Sequence, residues 1–223
     1  MAVDTLLLNG TIHTLDPACP RASALAVSGE RILAVGGHEL RDLAGPATRA
    51  FDLEGRCVIP GLADSHIHFQ HFALSLRQVN LTGASSLEEA LGRVAERASR
   101  TQAGEWVQGH GWDQERWPDR RFPAAADLDR VAPQHPVVLM AKSGHAAVAN
   151  SLGLKMANVT ADTPDPAGGR IERGPDGEPT GLLFDAAMRL VYDAIPQPGV
   201  GEVAATLPEA FARARRVGLT SIH

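Results

Sequence analysis

His66 and His68, separated by one residue, are the side chains of this sequence whose type and spacing best suit chemistry. They stand in the run Val58-Ile59-Pro60-Gly61-Leu62-Ala63-Asp64-Ser65-His66-Ile67-His68-Phe69. Side chains alternate between the faces of a strand, so a strand through this run turns both imidazoles one way and Ile67 the other. Neutral imidazole is a good ligand for Zn²⁺ and similar first-row cations, and a strand holds two such ligands with little entropy to lose on binding. Asp64, two residues earlier on the same face, is suited to accept a ring N–H and fix its tautomer, as carboxylates beside ligating histidines often do. A His-x-His pair in isolation is more often a surface pair or two satisfied histidines. Here it follows Pro-Gly and an apolar run, which puts the rings at the C-terminal end of a first strand, where parallel α/β barrels build their sites.

Other candidates are less specific. His145, in Ser143-Gly144-His145, follows an apolar strand, where a barrel loop would face substrate; a loop histidine bonding backbone is an equal reading. Trp112 and Asp113 end another strand-like stretch; they suit a substrate pocket, or, more plainly, a Trp packed beneath a loop and an Asp capping a turn. His110 shares the face of Trp112 if that strand is regular. His71 approaches the His66 and His68 region if the chain turns helical after His68. His13, His38 and His135 read as exposed, and His223 ends the chain in Leu219-Thr220-Ser221-Ile222-His223, a strand just beginning.

The elements that position these residues divide near residue 59. Residues 1–58 read as a small β-rich unit, with apolar segments at Leu6–Leu8, Leu25–Val27, Ile32–Val35 and Cys57–Ile59, and a hairpin turn at Ser28-Gly29-Glu30-Arg31. From Pro60-Gly61 onward strands alternate with helices, the pattern of an α/β domain spanning 59–223. The clearest helix runs from about Leu87 to Arg100, with Leu87, Leu91, Val94, Ala95 and Ala98 on one face and Ser86 with Glu89 as a capping box. Glu105–Asp113 and Pro136–Met140 are candidate strands, the second apolar on both faces as a buried parallel strand would be. The Pro- and Gly-rich stretch Asp162–Gly181 reads as loop or hairpin, turning at Gly174-Pro175-Asp176-Gly177. A last helix spans roughly Val203–Arg216, its start strained or reset by Pro208, with Gly218 as its cap.

The 223 residues are 44% hydrophobic and 21% charged, ordinary for a globular protein with a sizeable core. The net charge of −5 comes from acids interleaved with arginines, and no basic cluster has the density a phosphate-binding surface needs, which sets nucleic acid aside. No signal-like leader and no apolar run of membrane-spanning length stands out, so a cytoplasmic location without membrane attachment is the expectation. Cys19 and Cys57, without a CxxC partner, read as reduced thiols.

The run Val58–Phe69, preceded by some fifty β-rich residues, resembles the amidohydrolase superfamily and, more narrowly, its amidohydrolase-3, YtcJ-like branch. Further pieces occur in matching order: Gln78-Val79-Asn80-Leu81-Thr82-Gly83, Trp106 with Gly109-His110-Gly111-Trp112-Asp113, Ser143–Ser151, Gly168-Gly169-Arg170-Ile171 and Gly218–His223. The resemblance implies a metal-dependent (β/α)₈ barrel, preceded by part of a β-sandwich built from both chain ends. It implies hydrolysis of a non-peptide amide or related C–N bond in a small molecule, by water activated on one or two divalent ions, zinc first among them. It assigns metal binding to His66 and His68, and leaves Asp64, Trp112, Asp113 and His145 as substrate-side or supporting residues; Lys142 has no metal role. The remaining ligands and the catalytic carboxylate come, in such proteins, from later strands. A barrel takes roughly 250 residues, more than 59–223 supplies, so the expectation is an N-terminal part of a longer enzyme. Two other readings stay open: a metal phosphoesterase, some of which also open a barrel with His-x-His, and a binding module or inactive fragment.

Overall fold

The computed structural model describes residues 2–223. They form two units, one running to Ile67 and taking in Ala214–His223, the other His68–Arg213.

In the first unit, Thr5–Leu8 (β1) alternates half-buried and buried residues, so Leu6 and Leu8 face a small core with Val3, Ala24, Ala26 and Leu40. Thr11–His13 (β2), Arg21–Ala22 (β3), Ala24–Ser28 (β4), Arg31–Gly36 (β5), Arg49–Asp52 (β6) and Cys57–Val58 (β7) follow. They make a four-stranded sheet, β5-β4-β1-β6, and a three-stranded one, β3-β2-β7. The hairpin between β4 and β5 turns where expected. Gly29 has φ +58°, a conformation that glycine adopts without a Cβ penalty, and Ser28 pairs with Arg31. Cys19 and Cys57 are free and exposed. Leu62–Asp64 (β8) completes this part.

The second unit opens with Phe69–Ser75 (α1) and Val79–Asn80 (β9), then Leu87–Ala98 (α2), Val107–Trp112 (β10), Ala125–Val131 (α3) and Val137–Ala141 (β11). Helix α2 begins where its signals stand. Ser86 Oγ accepts from Glu89 N at 3.1 Å, but the Glu89 carboxylate reaches back to Ser85 rather than to Ser86, accepting from its backbone N–H and its hydroxyl at 2.8 Å each. Those two bonds, with Arg93, hold the Glu89 carboxyl down at about 2. The buried face is Leu87, Ala90, Leu91, Val94 and Ala98; Ala95 is only half-buried.

Strands β9, β10 and β11 run parallel, as strands joined through α2 and α3 can. After β11 the chain reverses through Lys142-Ser143-Gly144-His145, with Gly144 at φ +75°, into Ala146–Ala149 (β12), which pairs antiparallel. Ser151–Met156 (α4) leads to a hairpin of Gly169–Arg173 (β13) and Pro179–Asp185 (β14), turning at Gly174–Gly177. The resulting six-stranded sheet, β13-β14-β12-β11-β10-β9, is therefore mixed, parallel from β9 to β11 and antiparallel from β11 to β13. A four-residue reversal leaves no room for the crossover that a parallel neighbour needs.

Both faces of this sheet are covered. Val137 and Leu139 pack with Leu91, Val94 and Leu128 on one side, and Val138 packs with Leu154, Leu183 and Val191 on the other. Met188–Tyr192 (α5) precedes Val200–Arg216 (α6), in which Pro208 lies inside the helix instead of resetting its start. Gly218, at φ +79°, donates to Arg215 O at 3.0 Å and closes α6 as expected. Leu219–Ile222 (β15) belongs to the first unit and pairs parallel with β8. Among the described residues no helix is long and apolar enough to cross a membrane.

His135 is a correction: expected exposed, it is 6% accessible. Its Nδ1 lies 3.3 Å from Glu105 O, and its carbonyl accepts from the Asn150 side chain at 2.8 Å, so the turn after α3 is drawn into the core by bonds from residues distant in sequence. His38 is exposed and His13 half-buried.

Candidate functional site

The strand expected to carry both histidines ends early. β8 stops at Asp64, Ser65 and His66 form a bend, and His68 sits at the head of α1 with φ −84° and ψ 65°. Strand alternation therefore does not relate His66 to His68. The Asp64 carboxylate accepts the backbone N–H of His66 at 3.1 Å, a local side-chain bond of the kind that turns a chain out of a ladder. Asp64 thus contacts the main chain of His66 directly. His223 donates from its backbone N to Asp64 O at 3.0 Å and accepts from Ile67 N at 3.2 Å, so the end of β15 brackets this bend through main chain. Gly61 lets the two strands approach: a Cβ there would lie 2.8 Å from Thr220 Cβ. His66 and His68 are exposed, and the His68 ring stacks with that of His71, centroids 5.6 Å apart. His71 does follow a helical turn, as its candidacy required.

The donors fit a divalent first-row ion in kind, since neutral imidazole is its common ligand. In number they fall short: among the described residues no group of three or more His, Cys, Asp or Glu is placed to hold a metal.

A second cluster is built by side chains. Trp112, Asp113 and His145 come together around a cleft of about 390 Å³ that Phe122, Lys142 and Phe184 also line. Trp112 is 1% exposed and donates from Nε1 to Leu139 O at 3.0 Å, so it is both core and cleft wall. Asp113 pairs with Lys142 Nζ at 3.4 Å. His145 Nδ1 lies 2.8 Å from Asp185 Oδ1, at an exposed position. His110 does not share Trp112's face by simple alternation: the register shifts between them, and Gly111 takes φ +91°. Asp64 and His66 belong to the other unit.

Asp185, Phe122 and Phe184 were not singled out from the sequence. Asp185 reaches His145 across forty residues through the pairing of β14 with β12, and no local pattern marks that. Phe122 follows Arg121, whose guanidinium donates to both Asp127 oxygens at 2.8 Å and holds that carboxyl below the usual range. The same carboxylate accepts Ala124 N at 2.9 Å, which pins the Phe122 segment to the first turn of α3.

The profile described as Amidohydrolase family matches residues 49–223. Protein LONG AFTER FAR-RED 3 of Arabidopsis thaliana is 41% identical over 99% of this chain and 37% of its own length. N-substituted formamide deformylase of Arthrobacter pascens is 35% identical over 86% of this chain and 36% of its own length. The putative amidohydrolase YtcJ of Bacillus subtilis is 33% identical over 96% of this chain and 41% of its own length. Among solved structures, an uncharacterized metal-dependent hydrolase from Pyrococcus furiosus superposes with a TM-score of 0.69 at 28% identity, over 98% of this chain and 43% of that one. The chain spans about two fifths of the length of these relatives. With the family profile covering most of its length, the chain belongs to the amidohydrolase family.

Proposed function

We propose that this chain is part of a metal-dependent hydrolase that cleaves a non-peptide, amide-type C–N bond of a small molecule, with His66 and His68 as metal ligands. The observation that carries the reading is the His66-Ile67-His68 motif at the C-terminal end of β8, in a chain of this family. Similarity to a formamide deformylase and to a metal-dependent hydrolase supports the bond type and the metal. A divalent ion, zinc first among candidates, would supply Lewis-acid polarisation and a water of lowered pKa. Asp64 holds the bend that presents His66, and Trp112, Asp113 and His145 form the substrate side. In this reading β8 opens a (β/α)₈ barrel, the first unit is part of a β-sandwich, and the remaining ligands and the general acid/base lie outside the described residues. The free thiols fit a reducing compartment such as the cytoplasm.

The alternative is that this chain alone is a non-catalytic binding module. With zinc supplied, turnover of an N-substituted formamide but not of p-nitrophenyl phosphate supports the first. Turnover of the phosphate ester contradicts it, and turnover of neither favours the second.

A further inference from the structure

Phe122 is 40% exposed, in a segment pinned by the Asp127 carboxylate. It meets Trp112 edge-on at 5.9 Å and 87°, and Phe184 at 6.0 Å and 79°. The Arg170 guanidinium lies 4.3 Å from the Phe184 ring centroid. Three aromatic side chains thus wall one cleft, whose volume of about 390 Å³ falls in the range of small-molecule sites.

The rim is polar and already paired. Among the lining residues the charged groups are Asp113, Glu115 and Lys142, and Lys142 is engaged by Asp113 at 3.4 Å. An anionic ligand would meet Glu115, and the Arg170 guanidinium, held against the Phe184 ring, is not among the lining groups, which disfavours carboxylates and phosphates.

His145 is held at two points. Asp185 N donates to His145 O at 3.1 Å, and Asp185 Oδ1 lies 2.8 Å from His145 Nδ1. Asp185 has φ +48°, an uncommon conformation for a residue other than glycine, held here by its neighbours. In the neutral ring, a carboxylate accepting Nδ1–H leaves the lone pair on Nε2.

We propose that this cleft binds an uncharged aromatic amide, its ring against Phe122, Phe184 and Trp112 and its N–H donated to Nε2 of His145, which Asp185 positions. The proposal deepens the amidohydrolase reading and rests on it for the cleft's role as the substrate side. It adds a substrate class, ring-bearing secondary or primary amides, and names Asp185 as a positioning residue.

The test is an NMR titration of the isotopically labelled chain with benzamide in the presence of EDTA, read on imidazole nitrogens and cleft aromatics. His145 is expected to show the Nδ1–H tautomer, and benzamide to shift His145, Phe122 and Trp112 signals. Benzoate, and N,N-dimethylbenzamide, which lacks an N–H, are expected to bind about tenfold more weakly. Phe122→Ala should weaken all three ligands about tenfold. Asp185→Gly keeps the positive φ and removes the carboxylate; it should abolish the preference for benzamide over N,N-dimethylbenzamide while ring binding persists, which a merely structural role would not produce. Benzoate binding as tightly as benzamide, an unchanged preference in Asp185→Gly, or no shift of cleft signals up to the solubility of benzamide overturns the proposal. Because EDTA removes metal, failure of the His66 and His68 assignment leaves this result unaffected.

Discussion

The six-stranded sheet of the second unit is covered on both faces, whereas the four-stranded sheet of the first leaves apolar side chains open. Val137, Val138 and Leu139 of β11 are each 2% exposed or less; Ile32 of β5 is 64% exposed and Phe51 of β6 is 51%. The two strands look alike in sequence, since Ile32-Leu33-Ala34-Val35 is as apolar as Val137-Val138-Leu139-Met140. What separates them is cover. β11 has α2 and α3 packed on one side and α4 and α5 on the other, while no residue of β5 is buried. An apolar run reports that a strand can be buried; neighbouring helices decide whether it is. The candidate residues divide in the same way: the His145 cleft stands on the two-sided sheet, and the His66 bend hangs on a two-stranded pair.

The contrast breaks most readily at Asn150. Its Oδ1 accepts from Val137 N and Gly153 N at 2.9 Å each, and its Nδ2 donates to His135 O at 2.8 Å, with the residue fully buried. Asn150→Ala leaves those partners buried and unanswered, and denaturant unfolding should record a loss of about 3 kcal/mol or more. Loss of a few tenths would mean the sheet does not depend on this junction.

Alkaline titration probes the opposite face. Burial pushes the Tyr192 hydroxyl up from 10.0 to about 12. Its contribution is full below pH 10.0, where folded and unfolded chains both keep the proton, and it is lost as the pH rises toward about 12. Stability should therefore fall by roughly 2 to 3 kcal/mol across that window, and Tyr192→Phe should flatten the decline. An equally steep decline in the variant would assign it elsewhere.

The smallest effect belongs to the open sheet. Phe51→Ser should change stability by no more than about 0.5 kcal/mol, because little burial is lost; a loss near that of Asn150→Ala would show this face to be covered.

Features set by neighbours in sequence were legible. The start of α2 at Ser86, the turn at Gly29 and the cap at Gly218 each depend on a few consecutive residues. Features set across the chain were not. The burial of His135 needs Asn150, the antiparallel half of the sheet follows from a reversal at Gly144, and the His145–Asp185 pair joins strands that only folding brings together. For the site, residue type and spacing marked the His pair as candidate metal ligands. The pair's geometry was not legible, because the Asp64 carboxylate ends the strand two residues before His66.

The central claim is that His66 and His68 bind the metal of an amidohydrolase. Calorimetric titration of Zn²⁺ into the chain, and into a His66→Asn/His68→Asn variant, tests it most directly. The account predicts weak binding by the natural sequence, as two donors without a third allow, weakened about tenfold or more in the variant. Equal zinc affinity in the two proteins would contradict it.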